Sequence, residues 1–139
     1  MSTTPVKFYS FSTDLTNAKH DFSSHSFKVM LTNTAPALTN TAKANITEIT
    51  AGNGYTAGGA ATTVTKSNAT GVETLVATDI VWTASGGSIG PFRYLVLYNA
   101  TAAGGPLIAW WDYGSDVTLA NTETFNVDFD QSNGVFSNT

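Results

Sequence analysis

The chain has 139 residues, a formal net charge of -4, 12% charged and 42% hydrophobic residues, and no cysteine. That length is one domain, with enough chain to bury roughly two thirds of its unfolded surface without a staple. The composition excludes a disulfide framework and thiolate chemistry, intrinsic disorder, an electrostatic footprint for nucleic acid and any apolar run near the ~20 residues of a membrane helix.

In chain order, Met1 to Pro5 lacks the basic-then-apolar pattern of a secretion signal, so synthesis in the cytoplasm is expected. Val6 to Ser12 alternates Val6 and Phe8 against Lys7, Tyr9 and Phe11 and reads as a strand. Thr13 can cap a short helical turn over Asp14 to Lys19, so residues 1–23 form an N-terminal strand and turn, arm-like in character. Ser24 to Asn33 is a strand with Phe27, Val29 and Leu31 on its apolar face. The following TNTAPALTNTAKA, with Pro36, reads as an irregular excursion, and Ile46 to Ile49 as a short strand. Ala51 to Ala61 carries four glycines around Tyr55, which marks a loop of positive φ angles anchored by that tyrosine.

Thr62 to Lys66, Val72 to Thr78 and Ile80 to Thr83 are strands, with a turn at Ser67 to Gly71. The centre of the chain follows. A loop from Ser85 to Pro91 leads into the strand Phe92 to Tyr98, and a small-residue connection leads on to the partner strand Leu107 to Tyr113. Gly114 to Asp116 turns into Val117 to Leu119. In Thr124 to Asp130, Phe125, Val127 and Phe129 alternate strictly with Asn126, Asp128 and Asp130, the pattern of a strand with one dry and one wet face. A last turn, Gln131 to Gly134, precedes Val135 and Phe136. About eight to ten short strands with regular turns predict an all-β fold. We expect one antiparallel β-sandwich domain over residues 1–139, with strand order open between jelly-roll and immunoglobulin-like arrangements.

The residues that could carry chemistry are few. His20 and His25 with Asp14 or Asp21 can be drawn as a base and its orienter, but no serine sits on a strained nucleophile elbow. Surface histidines are the plainer reading. Asn126, Asp128 and Asp130 share one strand face, yet the glycine and terminal glutamate of a calcium loop are missing. Gly52-Asn53-Gly54-Tyr55 with Gly58-Gly59 lacks the Lys-Ser/Thr pair and following helix of a phosphate loop. Trp82, Trp110, Trp111 and Tyr113 beside Asp112 have the chemistry of a sugar platform. Adjacent tryptophans on a strand point to opposite faces, however, which favours core or subunit interface. Arg93, a rare charge in the central region, is expected to pair with Asp112 or Glu48. Asn45, Asn68 and Asn99 open Asn-X-Thr triplets, which an Asn- and Thr-rich chain produces by chance. No catalytic, cofactor or metal residues are assigned.

FKVMLTNTAP (Phe27 to Pro36), ITEITAGNGYTAGG (Ile46 to Gly59), WTASGGSIGPFRYLVLYN (Trp82 to Asn99), PLIAWWDYG (Pro106 to Gly114) and ETFNVDFD (Glu123 to Asp130) occur in this order. Together they resemble a family of small structural proteins of tailed bacteriophages and prophages, of the head decoration or cement type, over most of the chain after Ser24. The resemblance implies a non-enzymatic virion protein without cofactor. It would sit on the outer surface of the capsid, with the major capsid protein and its own copies (a homodimer or homotrimer) as partners, and without nucleic acid or membrane. Candidate interaction residues are Tyr55, Pro36, Arg93, Trp110 and Trp111. The alternative is a receptor- or glycan-binding β module of a tail or fibre.

Overall fold

The computed structural model describes residues 4–130 and 136–138, the last three by their backbone alone. Ten strands are described: β1 (Val6–Lys7), β2 (Phe27–Thr32), β3 (Ala60–Thr62), β4 (Val64–Ala69), β5 (Val72–Ala77), β6 (Ile80–Thr83), β7 (Ile89–Asn99), β8 (Leu107–Leu119), β9 (Thr124–Val127) and β10 (Phe136–Asn138). One helix, α1, spans Tyr9–Thr16. The strands form a five-stranded sheet in the order β1-β8-β7-β2-β3, a three-stranded sheet β10-β5-β4 and a pair β6-β9. Every pairing is antiparallel, and the fold is all-β and sandwich-like.

The second half of the chain is wound as a nested ribbon. β7 pairs with β8, β6 with β9 and β5 with β10, so each pair encloses the one before it. The main core lies between the inner face of the five-stranded sheet and the other two sheets. Phe27, Val29, Leu31, Leu95, Leu97 and Trp111 come from the first; Leu75, Ala77, Ile80, Trp82, Phe125 and Val127 come from the second. Rings interlock across the gap: Phe92 meets Phe125 edge-on at 5.0 Å and Trp111 meets Phe129 at 5.2 Å. As the alternation in Thr124 to Asp130 requires, Phe125, Val127 and Phe129 are buried, and Asn126, Asp128 and Asp130 are exposed.

The outer face of the five-stranded sheet is also apolar. Met30, Val96, Tyr98, Leu107 and Trp110 form a second cluster beneath Phe8, with Ile46 and Tyr94 packed against it. A sheet covered on both faces explains why Leu95 to Tyr98 is continuously apolar rather than alternating.

Several expected elements take another form. The Val6–Ser12 strand stops after two residues and becomes α1, and the helical turn expected at Asp14–Lys19 lies earlier. Phe8, Phe11 and Leu15 stand at i, i+3 and i+7, a helical spacing, whereas strand alternation sets Phe8 opposite Phe11. Phe11 and Leu15 enter the main core while Phe8 covers the outer face, so α1 straddles the sheet edge. Ile46–Ile49 is not a strand. A single 3-10 turn at Lys43–Asn45 precedes it, and only a Thr32–Glu48 bridge is formed. The Ser67–Gly71 turn tightens to Thr70-Gly71, both at positive φ, between longer strands. β7 begins earlier than expected, at Ile89, and Pro91 falls within the register shift between Ile89 and Phe92, where a missing N–H costs no ladder bond. The turn expected at Gly114–Asp116 is a bulge inside the continuous strand β8, because Tyr94 pairs with Asp112 while Phe92 pairs with Val117. The Gln131–Gly134 turn and Val135 lie outside the described residues.

Candidate functional site

The excursion after β2 is an ordered strap. Thr32 starts it: its hydroxyl donates to Thr47 O and accepts from Thr34 N–H at 3.1 Å. Asn40 Oδ1 accepts from Ala37 N–H at 2.8 Å, and Asn45 Oδ1 accepts from Thr41 and Ala42 N–H at 3.0 and 3.1 Å, which closes two side-chain-capped turns. The strap is then stitched to the β7–β8 connection by Lys43 N–H to Gly105 O at 2.9 Å and Leu107 N–H to Thr41 O at 3.1 Å. Lys43 Nζ lies 5.5 Å from the Tyr98 ring centroid. The strap thus presents a fixed surface of Thr, Asn, Ala and Pro, with Leu38 and the neighbouring Tyr9 exposed and Pro36 half-buried.

The glycine loop that follows is held from inside. β3 flanks β2 only over Phe27 to Val29. Beyond it the open edge is completed by substitutes: Tyr55 Oη accepts from Leu31 N–H at 3.1 Å, and Leu31 O accepts from Ile49 N–H at 3.1 Å. Tyr55 Oη in turn donates to Glu48 Oε2, which also accepts from Gly58 N–H at 2.7 Å. Tyr98 Oη donates to Gly58 O. Burial, and then the hydrogen bond to Glu48, push the Tyr55 hydroxyl far above its ordinary value. The loop passes so close to β2 that a Cβ on Gly59, at φ +85°, would lie 1.9 Å from Val29 O. The phosphate-loop chemistry has no room here, since the carboxylate of Glu48 already takes the Gly58 amide.

Of the candidate interaction residues, Tyr55 and Trp111 are 2% and 3% exposed and serve as core anchors rather than contact residues. Trp110 faces the opposite side of the sheet from Trp111, as strand alternation requires, and packs on Phe8 with tilted rings 4.6 Å apart and 9% exposure. Trp82 is buried against Tyr55. The sugar platform is therefore left with Tyr113 alone. Arg93 and Pro36 keep part of their surface. Arg93 forms a two-pronged pair with Asp112, Nε to Oδ1 at 2.8 Å and Nη2 to Oδ2 at 3.2 Å, and Gly114 N–H of the bulge also donates to Asp112 Oδ1 at 2.8 Å. These contacts hold the Asp112 carboxyl below its usual range, Arg93 first and Gly114 second. The pair staples the β8 bulge across to β7.

His20 and His25 do come together, but around Asn99 rather than around a nucleophile: both Nδ1 atoms face its carboxamide, at 3.2 and 2.9 Å. Asn99 is wholly buried, which removes it as a glycosylation acceptor. Sequence reasoning saw this residue only as the start of an Asn-X-Thr triplet, and its position at the end of an apolar strand was the available signal for a buried role. Asp14 is engaged by Lys19 Nζ at 3.2 Å. Among the described residues no cluster of three or more His, Asp or Glu could hold a metal ion, and no helix is long and apolar enough to cross a membrane. No protein-family model, curated protein or solved structure matches the chain.

Proposed function

We propose that this chain is a non-enzymatic structural protein of a tailed-phage virion, a decoration (cement) protein. In this reading it binds the outer surface of the head and clamps neighbouring major capsid subunits, as a homodimer or homotrimer. The sequence resemblance leads to it, and one structural observation carries it further: the protein covers both faces of its own central sheet and leaves its ordered polar strap and loops as contact surface. A module of that kind offers a rigid, weakly charged footprint and loses little conformational entropy on docking. The nested β5–β10, β6–β9 and β7–β8 pairs resemble the wound ribbon of a jelly roll, and we assign the fold to a jelly-roll-like arrangement on that ground.

Expanded capsids that lack the protein test the proposal. Added protein should bind in fixed proportion to the major capsid protein and raise the temperature at which the shells open. Failure to bind such shells, or recovery from virions at only a few copies per particle, would overturn the cement role; the second result would move the protein to the tail.

A further inference from the structure

We infer that Asn99, His20 and His25 form an acid-released latch that fastens the connection between α1 and β2 to the end of β7. The carboxamide of Asn99 has a fixed orientation, because its Oδ1 accepts the backbone N–H of Thr101 at 2.9 Å and of Ala102 at 3.0 Å. Its Nδ2 therefore faces His20 Nδ1, His25 Nδ1 and Lys19 O, at 3.2, 2.9 and 3.3 Å. An amide nitrogen only donates, so both Nδ1 atoms must be bare and both rings must carry their proton on Nε2. His25 Nδ1 is fixed a second time, since it also accepts from Asp21 N–H at 3.2 Å.

A proton added to either Nδ1 turns an acceptor into a donor that confronts another donor. For His20 the cost is higher. The residue is 6% exposed, and its Nε2 is sealed with no partner among the described residues. An imidazolium there would have neither hydrogen satisfied. The surrounding charges give little relief. Asp14 of α1 is engaged by Lys19, Asp21 is engaged by Ser23 N–H and Ser24 Oγ, and Lys66 of β4 faces the same cavity as Glu73 of β5. Burial pushes the His20 imidazole below its ordinary value, and the attraction of Asp14 opposes this without reversing it. The opened segment thus binds more protons than the closed one once pH falls past the ordinary histidine value of about 6.5. The latch is held in full above that value and is lost as pH falls through the folded value.

Release would free residues 17–26 and with them His20 and Phe22, which wall a cavity of about 510 Å3 between α1 and the β4–β5 hairpin. Acid would open that cavity and leave the five-stranded sheet in place. This inference does not depend on the capsid role.

Two measurements on the free protein test it. Imidazole 15N shifts at pH 7.5 should show both histidines as Nε2–H tautomers; an Nδ1–H tautomer at either ring would overturn the latch. Hydrogen exchange, corrected for intrinsic rates, should show residues 17–26 and the Thr101 and Ala102 amides opening more as pH falls from 7.5 to 5. The increase should reach at most about tenfold per pH unit for the proton that His20 takes up on opening, while β7 and β8 stay protected. His20→Asn with His25→Asn keeps an oxygen near each Nδ1 position and cannot titrate, so that variant should lose this pH dependence. Unchanged protection in the wild type, or an undiminished response in a folded double variant, would refute the proposal.

Discussion

Replacing Tyr55 by Phe removes one oxygen from the protein and leaves the ring in place. The oxygen closes the edge of β2 where β3 ends. Without it, Leu31 N–H, in a residue with no exposure, loses its acceptor, and Glu48 loses one of two donors. A buried unsatisfied amide costs about 1–3 kcal/mol, and a hydrogen bond to a charged group contributes about 1.5–3 kcal/mol. The two overlap, since Glu48 is only half-buried and water can replace part of the lost bond. We expect a loss of about 2–4 kcal/mol. For a chain of this length that is a fall in Tm of roughly 8–15 °C. Urea titration should show a lower midpoint with an unchanged slope, because the surface exposed on unfolding is the same. The double variant with Glu48→Gln should cost less than the sum of the single changes, since the two side chains share one bond. A Tm within about 2 °C of wild type would show that the Tyr55 hydroxyl is not the terminus of the β2 edge and that water serves as well.

Gly59→Ala, whose Cβ would run into Val29 O, should abolish soluble expression or cost more than about 3 kcal/mol in urea unfolding. Gly52→Ala, also at positive φ but with nothing within 4 Å, should cost only the backbone strain, about 1–3 kcal/mol by the same measurement, and leave the protein folded. Trp111→Ala should cost about 3–5 kcal/mol in urea unfolding, through loss of the ring that packs on Phe129. Trp110→Ala should instead loosen α1 from the sheet, seen as faster exchange at Phe11 and Leu15, because it removes the partner of Phe8. For Asp112, whose folded value lies below its unfolded one, the contribution to stability is present above the usual carboxylate range and fades as pH falls through the folded value. Asp112→Asn should therefore differ from wild type in melting scans at pH 7, with the difference shrinking as pH falls below the usual carboxylate range; a constant difference would show that the carboxylate charge is not what holds the bulge.

Sequence patterning was most informative where one face is dry and the other wet. Phe125 to Asp130 alternates without error, and the buried and exposed sides follow it residue by residue. It was least informative where a sheet is dry on both faces. Leu95 to Tyr98 has no period, so nothing in it announced that Phe8 and the strap would cover the outer side. The anchor role of Tyr55 was legible because glycines leave a lone aromatic as the only bulky group of its loop. Its partners were not, since Leu31 N–H and Glu48 meet it through chain reversals that local pattern does not encode. The Arg93–Asp112 pair was legible from charge scarcity, as two of few ionisable groups on neighbouring strands. The cluster around Asn99 was hidden, because a polar residue after an apolar run reads as the start of a turn, and here it is that and a buried hub as well.

The nested pairing of β5 to β10 also dictates an order of assembly. Among the three nested pairs, β7 and β8 have the shortest connection and meet at the lowest cost in loop entropy; β6 with β9, and then β5 with β10, must each close a longer loop. Once the inner pair has formed, however, the effective length of each outer loop shrinks to the residues not yet zipped. On loop entropy alone, the ribbon is expected to close outward from β7–β8, with β10 docking last of the nested strands. A chain cut before Phe136 should form everything inside the ribbon and be left with β5 as an open edge, the kind that recruits a strand from another molecule.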